Sequence, residues 1–409
     1  MADLVELAEA SSEIVDATVH MRVPAQFVPA VQPRAPSVQL IALRDPVVEE
    51  LGRLGFGRIR SVSDATPAWR SSSNNIQLLR YDTQEGPVLC KQDAAAPDES
   101  AFAAESASLK ALRAASMSTG GLMLRVPRPL GVGALPLGGS FLLLEWVEGE
   151  APAGPTALGR LGAGLAALHT APAPPGTHGQ GFRADTWLGG GGGGGLRQDN
   201  RWGRYLSEFF IERRLRPQLA AAAAGDLRLG AALEVRAQFA AILRRNSAQF
   251  LSTPLTPPSR PLQARFLRGA DALLRPANGA PPALLHGALS AATVSEDDAG
   301  RPVLRDPACW YGPPEADLAC DLALDDARGR LGAEFHDAYH SAWAFKEQAG
   351  AAARRDVYVL YHRLARHAAQ HGDDAAGGVD AERTREIAER VATEGLLFEG
   401  RAGGGRGFM

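Results

Sequence analysis

Hydrophobic positions change their spacing along this chain, and each spacing predicts an element. At Asp45-Pro46 a carboxylate suited to capping a helix precedes a proline suited to its first turn. Val47, Val48, Leu51 and Leu54 follow on one face. Three apolar runs then read as strands: IQLLRYD, PVLCK and FLLLEWV. Between the second and the third, PDESAFAAESASLKALRA has helical spacing, with Phe102, Leu109 and Leu112 on one face. Glu105 lies on that face too. A carboxylate there either reaches water at the helix edge or takes a partner, and Lys91, ending the preceding strand, is the obvious partner.

Beyond FLLLEWVEGE the pattern turns helical. ALGRLGAGLAALH sets Leu158, Leu161, Leu165 and Leu168 in one stripe that reads as core, and RWGRYLSEFFIERRL continues in helical spacing. The unbroken glycine run Gly189 to Gly195 is predicted to be a flexible loop, because ordering it costs backbone entropy that no side chain offsets. Residues 252–282, rich in Pro, Arg and Ala, read as an inserted loop with one short helix. TVSEDDAGRPVLRDP places two short apolar strands around a turn, which predicts a hairpin. EFHDAYHSAWAF, RRDVYVLYHRLARHAAQ and VDAERTREIAERVATEG are helical, and GRAGGGRGFM reads as a disordered tail. The order predicts an α+β chain: an arm over 1–44, a small β-rich N-lobe over 45–147, a mostly helical C-lobe over 148–396 and a tail over 397–409.

Composition narrows the function. The chain has 409 residues, 45% of them hydrophobic, enough for one large or two modest cores. A net charge of -3 gives no global basic field for nucleic acid. Arg213, Arg214 and Arg216, and the Arg244-Arg245 pair, read as solvated helix faces. Three cysteines, with no CxxC pair, argue against a disulfide framework or a zinc site and for a reducing compartment. No apolar run reaches the ~18 residues that a spanning helix needs. The N-terminus is ambiguous. Asp3, Glu6, Glu9, Glu13 and Asp16 do not suit a transit peptide, whereas the acid-free stretch with Arg22 and Arg34 suits one better.

The order of elements resembles the two-lobed protein-kinase-like architecture: strands with an internal lysine, a helix with a glutamate, a strand into a hinge, then a helical half with a hairpin. At motif level the chain resembles the fructosamine-3-kinase family, and within it the plant-type protein-ribulosamine 3-kinases, relatives of the aminoglycoside phosphotransferases. RYDT, VPRPLGVGALPLGGSFLLLEWVEG, FFIERRLRPQL, LLHG, GRPVLRDPACWYGPPEADLA and DVYVLYHRL carry the resemblance. It implies a history of phosphorylating the sugar of ketosamines on glycated proteins with ATP and magnesium. It also implies roles: Lys91 grips nucleotide phosphates, Glu105 pairs with it, Glu145 and Val147 flank the adenine hinge, and Asp306 binds metal.

Other positions depart from the family. The acid that accepts the substrate proton is replaced by Ala288, the second metal ligand by Thr293 and a sugar-pocket tryptophan by Ser290. Hairpin pairing is expected to keep Thr293 near Asp306, so that both could serve one metal. The nucleotide-covering loop reads SSSNNI, with Asn74 where plant-type members carry cysteine, and glycines that allow close phosphate approach are missing. An Asn-His pair is replaced by Ala365-Arg366, and Arg305 stands before Asp306 where an apolar residue is usual.

Loss of a general base alone costs about 10²- to 10⁴-fold. Loss of base, metal ligand, sugar pocket and loop glycines together implies a pseudokinase that holds ATP and magnesium weakly or vestigially. Such a chain is expected to serve as a binding or scaffold subunit, meeting protein partners through its arm, insertion or tail. The alternative is a divergent ribulosamine or fructosamine 3-kinase with a relocated base. The nearest acids, Asp297 and Asp298, lie at the wrong end of the hairpin for that. A small-molecule kinase of the aminoglycoside or choline type fits less well, given DPACWYG. The resemblance implies the chloroplast as location, with the cytoplasm as the alternative.

Overall fold

The structure, a computed structural model, describes residues 45–65, 76–96, 98–120, 123–149, 154–188, 196–225, 262–323, 331–342, 351–369 and 381–403. The first helix, α1 (Pro46–Arg53), forms as its cap predicts: Asp45 accepts from the Val47 N–H at 2.9 Å. It buries Val47 and Leu51, while Val48 stays 43% exposed.

Five antiparallel strands follow in the order β1-β2-β3-β5-β4: β1 (Ile59–Asp64), β2 (Gln77–Thr83), β3 (Gly86–Asp93), β4 (Pro129–Ala134) and β5 (Ser140–Glu145). Side chains alternate between the two faces. Val88, Cys90, Phe141 and Leu143 pack with α1 in one cluster, while Leu89, Leu142 and Leu144 join the main core with α2 (Ser100–Ser118). Both faces of β3 and β5 are covered, which is why these strands read as continuous apolar runs. Lys91 follows Leu89 by two and so points to the α2 face.

The C-lobe begins with α3 (Pro155–His169), packed on α8 (Ala333–Ala342). A Cβ at Gly162 would collide with the Phe335 carbonyl, so glycine sets this close approach. The short hairpin β6 (Thr186–Leu188) and β7 (Leu196–Gln198) precedes a helical run of α4 (Leu206–Phe210), a π-helical turn (Ile211–Leu215) and α5 (Arg216–Gly225). The helix begins at Leu206, so 201–205 are not helical as expected. Arg214 corrects the solvated-face reading. It is buried, donates to the Asp199 carbonyl at 2.8 Å and to Asn200 Oδ1, and lies over the rings of Phe209 and Trp310. Arg216 is exposed as expected.

Within 252–282 the helix allowed for there is present, but it is longer and more buried than an inserted loop would carry. Helix α6 (Leu262–Leu274) is 13 residues long and buries Leu262, Phe266, Ala270 and Leu273, so this part is core rather than loop. It packs against α10 (Ala381–Gly403). That last helix runs past residue 397, where a disordered tail was expected, because Phe398 still finds the core. The glycine run, the loop Ser71–Asn75, Arg244-Arg245 and the N-terminal arm lie outside the described residues.

The remaining elements frame the site. Strands β8 (Ala283–Leu285) and β11 (Trp310–Gly312) pair, as do β9 (Val294–Glu296) and β10 (Pro302–Leu304), which form the expected hairpin. Helices α7 (Glu315–Leu322) and α9 (Ala351–Ala369) close the lobe. Arg125, between α2 and β4, bridges Val303 in parallel; its N–H donates to Pro302 and its carbonyl accepts from Leu304. The N-lobe is thereby stitched to the hairpin. Among the described residues no helix is long and apolar enough to cross a membrane.

Candidate functional site

The two lobes meet at one ammonium group. Lys91 Nζ lies 2.7 Å from Glu105 Oε1 on α2 and 2.7 Å from Asp306 Oδ1 just after the hairpin. All three are buried, Lys91 to 1% exposure. Glu105 has therefore taken the partner that its place on an apolar face demanded; it does not reach water. Burial alone would lower the Lys91 pKa, but the two carboxylates outweigh it and hold the group above the ordinary lysine range. Burial raises the Glu105 pKa against the pull of Lys91. Asp306 is held at φ 52°, the one non-glycine residue with positive φ among those described. Such backbone costs energy and persists where the surroundings over-determine it.

Behind Asp306 stands the loop after β8. Asp317 on α7 accepts from the His286 N–H and the Gly287 N–H, each at 2.7 Å, and from His169 Nε2 at 3.2 Å. His169 Nδ1 meets the Tyr339 hydroxyl at 2.8 Å. Burial pushes the Asp317 carboxyl up, but His169, His286 and the backbone donors hold it below the usual range. His286 Nε2 meets the Arg305 carbonyl at 2.9 Å, and Nδ1 accepts from the Ala288 N–H at 3.3 Å, so the ring is a neutral clamp between loop and hairpin. Burial lowers its pKa in the same sense. Gly287 has φ 81°, and a Cβ there would collide with the Ala308 carbonyl.

This loop presents Ala288, half-buried against the core. Ser290 caps a single 3-10 turn (Ala291–Thr293), and Thr293 completes a capping box. The Thr293 hydroxyl accepts from the Ser290 N–H at 2.9 Å and faces the Ala288 and Ser290 carbonyls, each at 3.1 Å. Its own carbonyl accepts from the Arg305 N–H at 2.9 Å. The hairpin does bring position 293 opposite 305, yet the hydroxyl serves the loop. Arg305 is buried, and its Nη2 reaches the Val294 carbonyl at 3.4 Å.

Glu145, expected at the hinge, ends β5. Its carboxylate accepts from Arg125 Nη2 at 2.8 Å and from the Arg128 N–H at 3.1 Å, and its N–H donates to the Arg128 carbonyl at 2.8 Å. Val147 is buried two residues on. Asp297 is committed to the hairpin turn: it accepts from Arg301 Nε at 3.0 Å and the Arg301 N–H at 2.9 Å, and pairs with Arg125. It is therefore no replacement base. Ala365 packs against the core and Arg366 is half-buried on the same helix.

The described residues do not assemble a metal site. Lys91 supplies a fixed positive charge beside the lobe junction. Magnesium asks for about six oxygens in octahedral order, one or two of them carboxylate. Here Asp306 leans on Lys91, the Thr293 hydroxyl is turned into its cap, and no group of three His, Cys, Asp or Glu that could hold a metal occurs among the described residues. The set does not fit the metal that this fold ordinarily carries. Sequence reasoning missed Asp317 and His169 altogether. A signal existed for Asp317, since it lies among the buried Ala316, Leu318 and Ala319 on a short helix, as Glu105 lies among apolar neighbours on its own.

The family model described as fructosamine kinase matches residues 62–379. The chloroplastic protein-ribulosamine 3-kinase of Oryza sativa subsp. indica is 28% identical over 372 residues, which is 89% of this chain and 92% of the relative. The ketosamine-3-kinase of Mus musculus is 29% identical over 303 residues, 69% of this chain and 83% of the relative. The crystal structure of a candidate fructosamine-3-kinase of Haemophilus somnus matches with a TM-score of 0.58 at 20% identity, covering 84% of this chain and 96% of the other. At that identity the likeness shows the fold, two lobes with a sheet in one and helices in the other. The chain belongs to the fructosamine kinase family.

Proposed function

We propose that this protein is a pseudokinase of the family: it keeps the fold and a weak nucleotide site, has lost phosphoryl transfer, and works as a binding or scaffold subunit with protein partners. One observation carries the reading. The apparatus that aims the loop after β8 is complete, with Asp317, His169, His286 and Gly287 in place, and what it aims is the methyl group of Ala288. A methyl accepts no proton. The nearby acids are engaged elsewhere, Asp297 in its turn and Glu105 and Asp306 on Lys91.

ATP is the nucleotide that the family points to, and the chloroplast is the location suggested by the rice relative's name. Residues 1–44 are the proposed partner-binding arm.

A second reading has its own support, because Lys91, Glu105 and Asp306 remain together. It is a slow ketosamine 3-kinase. Radiolabelled ATP with ribulosamine- and fructosamine-bearing protein separates the two. No labelled product above background is expected. Robust labelling that disappears in Lys91→Ala overturns the pseudokinase reading. Size-exclusion of the protein from its native source, with identification of what co-elutes, tests the scaffold role. A lone monomer speaks against it.

A further inference from the structure

We propose that the groove between the π-helical turn and α6 docks a basic segment of a partner protein, with one lysine ammonium beside Glu208. This rests on the reading that the protein works as a binding subunit, and it names the kind of partner. The groove has a volume of about 550 Å³. Among the described residues, none from the lobe junction or from the loop after β8 lines it.

Two helical walls set its shape. Ile211 from the π-helical turn and Ala264 and Leu267 from α6 form an apolar floor. A π-helical turn is rare and frequently sits at a functional site. The Ser207 N–H donates to Asn278 Oδ1 at 2.9 Å, just past the end of α6. The first wall therefore starts where α6 ends. Glu208 lies toward Asp271, and Arg216 toward Gln263. From Gln263 to Asp271 the groove is about 12 Å long, at 1.5 Å of helix rise per residue.

What the groove leaves unspent is acceptors. Arg216 is turned to Glu212 at 2.9 Å, Arg268 to Glu399 on α10 at 2.9 Å, and Asp271 holds Arg275. Glu208, exposed on its wall, enters no ion pair among the described residues. Gln263 Oε1 is buried without a hydrogen-bond partner. A free carboxylate at one end, an unpaired amide oxygen at the other and an apolar floor between them call for two donors joined by an aliphatic stem. Lysine supplies the ammonium and the stem, which lies over apolar surface while its head stays charged. The second donor is a backbone N–H one or two residues along, since an extended chain advances about 3.3–3.6 Å per residue. A neutral N–H suits that end, because a second ammonium would meet the Arg216 guanidinium. A segment with a carboxylate in place of the lysine would face Glu208 as a like charge.

The test is fluorescence anisotropy of a dye-labelled peptide, Gly-Leu-Lys-Leu-Gly with a blocked C-terminus, titrated with the full chain at low salt, where exposed charges are least screened. Saturable binding is expected. Norleucine in place of the lysine should weaken it about threefold or more, the yield of one exposed ion pair, and glutamate there should abolish it. Glu208→Gln should weaken the lysine peptide by a similar factor and leave the norleucine peptide unchanged. Ala264→Leu, which keeps a good helix former and fills the floor, should abolish binding of both. If Ala264→Leu does not fold, Glu208→Gln and the norleucine peptide still decide. No saturable binding up to about 10 mM overturns the proposal. So does binding that neither variant changes, which is surface attraction alone. Spermidine that competes as tightly as the peptide would give the groove to a free oligoamine, and self-association lost in Ala264→Leu would give it to a second copy; either overturns the partner assignment. Labelling of glycated protein and the identity of what co-elutes decide the pseudokinase and scaffold readings separately, so those readings stand or fall without this titration.

Discussion

Lys91 and Asp306 are 215 residues apart in the chain, and their charged groups meet at 2.7 Å in the buried junction of the two lobes. The bond joins β3 of the sheet to the end of the hairpin. Breaking a buried ion pair by removing one partner typically costs about 3–5 kcal/mol, since the other charge is left without compensation. Lys91→Met strands two carboxylates. We expect it to lower the unfolding free energy by at least that range in urea titration. Lys91→Met with Glu105→Leu and Asp306→Asn should be less destabilised than Lys91→Met alone. A fully additive loss would remove the triad as a unit.

Asp317 holds two backbone N–H groups and one imidazole with a single carboxylate. Hydrogen bonds to a charged group contribute about 1.5–3 kcal/mol each. Asp317→Ala is expected to cost about 3 kcal/mol or more and to loosen the segment 286–290, measured as faster amide exchange there. Unchanged exchange with lost stability would reduce Asp317 to a packing residue.

Acid should weaken the fold early. His362 is buried with Nε2 3.1 Å from the Ala316 carbonyl, and burial pulls its pKa down from 6.5 to about 4. The unfolded chain takes this proton near pH 6.5, the folded chain only near 4. The contribution is whole above about 6.5, declines as the pH falls, and is gone below about 4; it amounts to about 3 kcal/mol. His286 acts in the same sense. Denaturant unfolding at pH 7.5, 6.0 and 5.0 should show the decline, and His362→Gln should flatten it. A stability level from 7.5 to 5.0 would contradict the assignment.

Restoring one residue should not restore a kinase. Ala288→Asp supplies a carboxylate at the end of an intact scaffold, yet Thr293 and Arg305 remain as they are. Groups that act as one unit are far from additive. We expect Ala288→Asp alone to give no more than trace labelling of glycated protein, and Ala288→Asp with Thr293→Asn and Arg305→Leu to give more. Full turnover from the single change would show that the base alone had been missing.

Much of this was legible because local and global patterns coincide. The Asp45-Pro46 cap, the apolar runs of β2, β3 and β5 and the apolar stripe of α3 each form where the sequence places them. Glu105 could be paired with Lys91 because a carboxylate on an apolar helical face has few stable fates. The same logic reaches Asp317, but its helix is short and its partners are backbone groups, which carry no residue signature. Arg214 reads as polar, and nothing local says that Trp310, from a distant strand, will bring its ring beside that of nearby Phe209 under the guanidinium. Helix α6 hides in a proline-rich stretch, since its prolines fall before and after it rather than within. The end of α10 was lost for a similar reason. Glycines near the terminus suggest a frayed tail, while Phe398 draws the helix onward.

The strand-like bridge of Arg125 has a consequence for how the molecule melts. Its backbone completes the edge of the β9–β10 hairpin, while its guanidinium holds Glu145 at 2.8 Å and Asp297 at 3.4 Å. One residue of the small lobe is thus built into the large one. Heat cannot release the sheet without also stripping the hairpin, so the two halves share a single cooperative transition. Calorimetry should record one endotherm, and a cavity cut on the α1 face, such as Leu143→Ala, should shift the whole of it.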